Sequence, residues 1–141
     1  MLNFSAYDPS KRLAGVRVLL VDDNTDCLAA LRMLLEFNGA DVQAVASADA
    51  ARTALARQRP HVLISDLSMP GEDGFALLAW VRALGSDTGG DTPALAFSAM
   101  SPVPAEIEAR KVGFQIFLRK PGDVLRIVPT VMVLLPPSLA P

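Results

Sequence analysis

Five residues carry most of the chemistry this chain can offer, and each sits where a short apolar run gives out. Asp22 and Asp23 end the aliphatic stretch of "GVRVLLVDDN". Asp66 follows "VLIS" and opens the Pro- and Gly-containing turn of "ISDLSMPGEDGF". Ser98 closes "ALAFS", and Lys120 follows "FQIFLR". Three carboxylates crowded together repel one another, and a divalent cation between them removes the conflict. Mg2+ fits best, because it takes oxygen ligands, keeps several waters and is commonly held by one or two carboxylates plus a phosphate. No grouping of His and Cys suggests zinc. A carboxylate can also attack phosphorus to form an aspartyl phosphate, provided that a metal, an ammonium and a hydroxyl stabilise the developing charge. Asp66, Mg2+, Lys120 and Ser98 would supply those parts.

The elements that must bring these residues together are legible as alternating patterns. Val16, Val18, Leu19, Leu20 and Val21 form a nearly continuous β-prone run, as expected for a strand buried on both faces of a parallel sheet. Asn24 then serves as an N-cap, Leu28, Leu31, Leu34 and Leu35 repeat at helical spacing, and Asn38-Gly39 supplies a stop. "DVQAV" is a second strand, Ser47 caps a helix through about Arg57, and Pro60 ends it before the strand "VLIS". Gly74 opens a third helix with an inward stripe of Leu77, Leu78, Val81 and Leu84, and "GSDTGGDTP" is a surface loop. "ALAF" is the fourth strand, a helix runs from about Pro104 to Val112, and "FQIFL" is the fifth strand. "DVLRIVPTVMVLL" reads as a last helix capped by Asp123, which Pro129 would kink or split. Pro70 and Gly74 shape the loop after Asp66, and Glu72 and Asp73 read as solvated.

Strands alternating with helices imply βαβ units, hence an α/β, doubly wound, five-stranded parallel sheet with helices on both faces. In such sheets the working site lies outside the carboxyl ends of the strands. Asp22, Asp23, Asp66, Ser98 and Lys120 all fall on that edge. His61 falls at the opposite end and reads as a surface histidine.

In this order, "LLVDDN", "SDLSMPGEDGF", "AFSAM" and "FLRKP" resemble the receiver domain of two-component response regulators. The resemblance runs from about Leu13 to Leu135 and implies the flavodoxin-like strand order 2-1-3-4-5. It implies that Asp66 is the phosphoacceptor and that Asp22, Asp23, Asp66 and the backbone carbonyl of Ser68 hold Mg2+. It also implies that Lys120 binds the phosphoryl oxygens and that Ser98 swings toward them while Phe117, at the position of the switch aromatic, rotates inward. Partners would be a histidine kinase or a histidine phosphotransfer protein of a phosphorelay. The domain itself would be a regulatory phosphoacceptor rather than an enzyme. Ser98 stands where Thr is more frequent, which keeps the hydroxyl and drops the β-branch that stiffens χ1. Ser68 and Met100, each two residues beyond a site residue, occupy positions that in the family influence how water reaches the phosphoryl group. "LAGVRVLLVDDN" is similar to the entry of receivers fused behind hybrid histidine kinases, so the chain is read as a stand-alone receiver or as part of such a kinase.

Composition narrows the alternatives. With 141 residues, 51% of them hydrophobic, the chain can bury one sizeable core. The expected division is an extension or linker at 1–13, the domain at 14–135 and a tail at 136–141. A net charge of -2 with scattered basic residues advertises no nucleic-acid or anionic-membrane surface. The single Cys27 cannot form an internal disulfide and reads as a small buried helix residue. Neither a signal peptide nor a membrane-spanning run is apparent, and a cytoplasmic location is the expectation. A haloacid-dehalogenase-like phosphatase also uses an aspartyl nucleophile with Mg2+, but expects a second acid where Ser68 stands. A flavodoxin-like cofactor binder wants a phosphate-cradling loop where Asp22 and Asp23 stand. A degenerate receiver acting only as an interaction domain is disfavoured, since all five key positions are filled. The apolar run Val131 to Leu135 points to the face of the fourth helix, fifth strand and last helix as a partner or homodimer surface.

Overall fold

A computed structural model of the chain describes residues 8–139. Five strands, β1 (Arg17–Val21), β2 (Asp41–Val45), β3 (Val62–Ser65), β4 (Ala94–Ser98) and β5 (Ile116–Arg119), form one sheet in the order β2-β1-β3-β4-β5. Every neighbouring pair is parallel. The helices are α1 (Thr25–Phe37), α2 (Ala48–Arg57), α3 (Gly74–Arg82), α4 (Pro102–Val112) and α5 (Ile127–Leu134). The expected architecture and strand order are the observed ones. Burial explains which runs are continuous: β3 and β4 are buried at every residue and β1 at all but its first, whereas edge strand β2 buries only Val42 fully.

The sheet divides the core in two. Val18, Leu20, Val62, Ile64, Leu95, Phe97 and Leu118 face Leu31 and Leu35 of α1 and Ile127, Val128 and Val131 of α5. Leu19, Val21, Leu63, Ala94 and Ala96 face α2, α3 and α4, whose contacts include Ala51, Ala54, Leu77, Leu78, Val81, Ala105 and Ala109. The many alanines on this second side let helices approach closely but bury little area each.

Local chemistry sets the helix limits. Asn24 Oδ1 accepts the N–H of Cys27, and Ser47 Oγ that of Ala50, as anticipated. Asp73 is solvent-exposed, as read, and also caps α3 by accepting the N–H of Ala76 at 2.8 Å, whereas Glu72 is half-buried and pairs with Arg52. α4 starts at Pro102, earlier than expected, because proline suits a first turn whose N–H groups lack helical partners. Pro129 likewise lies in the first turn of α5, behind a separate 3-10 turn at Val124–Arg126, so no kink within α5 is needed. Asp123 does not cap that turn through its side chain; its Oδ2 accepts the N–H of Arg119. Of the apolar run, Val131 and Leu135 are buried, Met132 and Leu134 are half-buried, and Val133 faces outward.

The residues before β1 are built into the fold. Pro9–Lys11 make a 3-10 turn, Leu13 is wholly buried, and its N–H donates to the Asn38 carbonyl at 2.7 Å. Gly39 is required there, since its φ is +96° and a Cβ would lie 2.2 Å from the Ser10 carbonyl oxygen. Of the extension and tail assigned above, residues 1–7 and 140–141 lie outside the described residues.

His61 is more than a surface histidine. Its Nδ1 accepts the backbone N–H of Arg17 at 2.9 Å, tying β1 to β3 at the edge away from the five polar residues. Burial, and then the Arg17 guanidinium, hold its pKa below the ordinary value. A depressed folded-state pKa contributes stability that is complete above the unfolded imidazole value of about 6.5 and is lost as pH falls through the folded value. Melting temperature should therefore fall as pH is lowered from about 7.5 to about 5.5. His61→Asn, whose amide oxygen can replace Nδ1 as acceptor, should flatten that fall in a thermal-melt series. Equal pH slopes for the two proteins would show that His61 is not its source.

Candidate functional site

Register brings the polar residues together before any side chain is considered. Val21 pairs with Ser65 and Ser65 with Ala96, so Asp22 and Asp66 leave adjacent strands side by side. Ser98 pairs with Arg119, and the N–H of Lys120 donates to the Ser98 carbonyl at 2.9 Å. All five residues therefore meet at the carboxyl edge of the sheet.

Lys120 Nζ donates to Asp22 Oδ2 at 2.7 Å and to Asp66 Oδ2 at 3.2 Å. Asp22 is 2% exposed and Asp66 8%, whereas Asp23 is open to solvent. Carboxylate oxygens of Asp22, Asp23 and Asp66 lie within 4.8 Å of one another. An all-oxygen donor set with two nearly buried acids and one exposed acid suits a hard divalent cation that keeps some of its waters. Burial raises the Asp66 pKa; the Lys120 charge opposes this, and the Asp22 charge adds to it. Burial alone would lower Lys120, but its hydrogen bond to Asp22 and the charges of Asp66 and Asp22 outweigh that and raise it. One ammonium thus partly neutralises a pocket with an excess of negative charge.

The loop after β3 is shaped to present Asp66. The N–H of Leu67 donates to Asp66 Oδ1 at 2.7 Å, and the N–H of Ser68 approaches the same oxygen at 3.4 Å. Ser65, wholly buried among aliphatic neighbours, donates its hydroxyl to the Asp66 carbonyl at 2.7 Å. A Cβ on Gly74 would fall 2.1 Å from that carbonyl oxygen, so glycine is needed where α3 begins. Ser65 went unremarked in the sequence because a lone serine at the end of an apolar run carries no signal of its own.

Ser98 is 1% exposed, and its Oγ accepts the N–H of Met100 at 3.1 Å. Phe117 pairs with Ala96, two residues before Ser98, so Phe117 and Ser98 share a face of the sheet. Phe117 is half-buried against the α2, α3 and α4 side. Met100, at the start of the chain leading to α4, is 40% exposed. Cys27, in the first turn of α1, is half-buried rather than buried, and its thiol is pushed up to about 11 by burial and by Asp22. It stays protonated at neutral pH.

A family model described as "Response regulator receiver domain" matches residues 18–131. The chain belongs to the response regulator receiver family. As a receiver it is a phosphoacceptor signalling module of two-component systems, a regulatory domain rather than a catalytic enzyme, and its acidic pocket is Asp22, Asp23 and Asp66. A Leptolyngbya boryana protein encoded in the sodA1 3' region is 38% identical over 116 residues, covering 82% of this chain and 87% of that protein. The transcriptional regulatory protein PrrA of Mycobacterium tuberculosis is 35% identical over 120 residues, covering 84% of this chain and 49% of PrrA. The receiver thus spans about half the length of PrrA. The signal receiver domain of a histidine kinase from Syntrophus aciditrophicus superposes with a TM-score of 0.77 at 25% identity, covering 85% of this chain and 89% of that one. Among the described residues, no helix of this receiver is long and apolar enough to cross a membrane.

Proposed function

We propose that Asp66 accepts a phosphoryl group from the phosphohistidine of a histidine kinase or histidine phosphotransfer protein in the cytoplasm, and that the change alters which surface the receiver offers to partners. The observation that carries this is the Lys120 ammonium shared between Asp22 and Asp66 at the carboxyl edge of the sheet, with Asp23 beside them. Asp22, Asp23, Asp66 and the Ser68 carbonyl would hold Mg2+, which when bound supplies positive charge to the transferring phosphoryl oxygens. The Asp66 carboxylate forms the new O–P bond as the donor's P–N bond breaks. Lys120 then turns from Asp66 to a phosphoryl oxygen, which explains why its ammonium bonds the acceptor carboxylate beforehand. Ser98 brings a hydroxyl to the same group, and Phe117, on the same sheet face, fills the space that the movement opens.

Incubation with acetyl phosphate and Mg2+, followed by intact-mass analysis, should show one added phosphoryl group, absent in Asp66→Asn and in EDTA. Equal labelling of Asp66→Asn would move the acceptor elsewhere. Met100 follows Ser98 by two residues, its N–H bonded to the Ser98 hydroxyl, and a thioether cannot orient water. Met100→Glu should speed loss of the phosphoryl group by about 2- to 10-fold, measured as decay of the labelled protein under matched Mg2+. Identical decay would remove Met100 from the pathway of water.

The face of α4, β5 and α5 is the proposed partner or homodimer surface. Ile107, Leu125 and Val133 are exposed there, Leu125 and Val133 lining one cleft with Ile116 and Pro129. Relationship to a kinase receiver and to a transcriptional regulator supports both settings for the domain, within a hybrid kinase or apart from one.

A further inference from the structure

α4 is held very differently at its two ends. Near its start only Ala105 is buried, and Ser101 makes no side-chain cap. The two prolines in the first turn, Pro102 and Pro104, carry no N–H to satisfy and fix φ at helical values. That turn therefore keeps its shape with Ala105 as its one buried contact to the body. Methyl groups are the main attachment along the rest of the inward face, where Ala109 is the other buried residue of the helix.

The far end is locked. Gly113 ends the helix at φ +113°, the N–H of Phe114 returns to the Ala109 carbonyl at 2.9 Å, and the Phe114 side chain is buried. Arg82, the last residue of α3, then clasps this corner. Its Nε and Nη2 donate to the Gly113 carbonyl at 3.2 and 2.8 Å, and Nη2 also donates to Gln115 Oε1 at 3.2 Å. Nη1 donates to the carbonyls of Gly90 and Thr92 at 2.9 and 2.7 Å, in the loop that leads into β4. Gln115 Oε1 completes the circuit by accepting the N–H of Ala94 at 2.8 Å. A planar guanidinium so engaged fixes the α4–β5 corner to the start of β4.

We infer that α4 is a rigid rod pivoting about its C-terminal corner, and that Arg82 is the positioning residue that makes it pivot. This rests on the proposed phosphorylation of Asp66. Movement of Ser98 pulls on Ala99–Ser101 and swings the uncapped end of α4, carrying the exposed side chains of Val103 and Ile107 farther than anything near Gly113. With the far end free, the same pull would be dissipated by sliding the whole helix over its alanines.

Amide hydrogen exchange of the full chain, with Mg2+ alone and with Mg2+ plus beryllofluoride as a phosphoryl mimic, tests this. In wild type the two states should differ by more than about 5-fold in exchange across residues 99–107 and by less than about 2-fold across 109–116. Arg82→Met should erase that boundary, so that 109–116 responds as strongly as 99–107. Arg82→Lys, whose ammonium cannot span both loops, should fall between. A merely structural Arg82 would lower protection equally in both states and leave their difference unchanged, which would overturn the inference. So would a wild-type response spread evenly along α4, a result that needs no variant to fold. A wild type that responds around Asp66 but not along α4 would sink the pivot alone, and one that responds nowhere would sink the phosphorylation reading as well.

Discussion

Lys120→Ala is expected to lose most of the response to a phosphoryl mimic and, without metal, to melt lower than wild type. Its ammonium is the cation bonded to both Asp22 and Asp66, and deleting it leaves two nearly buried carboxylates facing each other. Removing one member of a buried charged cluster costs several kcal/mol when nothing replaces it. Water can reach this pocket beside the exposed Asp23, so about 2 kcal/mol, or roughly 5–10 °C, is the expected loss. Mg2+ should restore most of it, because a cation among the carboxylates substitutes for the missing charge. The coupling should not be restored, since the side chain that bonds Asp66 from the end of β5 is gone. Thermal melts with and without Mg2+, beside the beryllofluoride-induced change in exchange, separate stability from response. A variant that melts low, is not rescued by Mg2+ and keeps the full proportional response would make Lys120 purely structural.

Asp23→Asn should weaken Mg2+ binding at least about 10-fold, a loss of about 1.4 kcal/mol, while leaving the metal-free fold intact. Asp23 is the exposed member of the three acids, so its charge stabilises nothing in the core and its replacement leaves no void. Wild type at a Mg2+ concentration about 100 times its dissociation constant should gain about 2.7 kcal/mol in stability. At that same concentration the Asp23→Asn protein should gain about half as much. The measurement is the rise in melting temperature across a Mg2+ titration. Overlapping curves would place the cation away from Asp23.

Much of this was legible in the sequence because the signals are local. An aliphatic run cut off by Asp22, Asp66 or Ser98 fixes both a buried strand and its carboxyl end, and Asn24 and Ser47 mark helix starts through bonds only three residues long. What escaped depends on partners far away in sequence. Arg82 is an ordinary helix-ending arginine until the fold brings the carbonyls of Gly90, Thr92 and Gly113 around it. His61 owes its role to the N–H of a residue 44 positions away. Pro129 misled because proline both breaks helices and begins them, and only the register of the neighbouring turn decides which. Glu72 read as solvent-facing because its partner, Arg52 of α2, lies 20 positions away, whereas Asp73 is solvent-facing as read and its cap of α3, though local, was overlooked.

Chemical trapping of the acyl phosphate tests the central claim most directly. Borohydride converts an aspartyl phosphate to homoserine, whereas the phosphate esters of serine survive, so peptide mass spectrometry of the reduced protein names the residue that carried the phosphoryl group. After labelling with acetyl phosphate and Mg2+, homoserine should stand at position 66 and nowhere else. Homoserine at position 22 or 23, or a borohydride-resistant phosphate on Ser68 or Ser98, would contradict it.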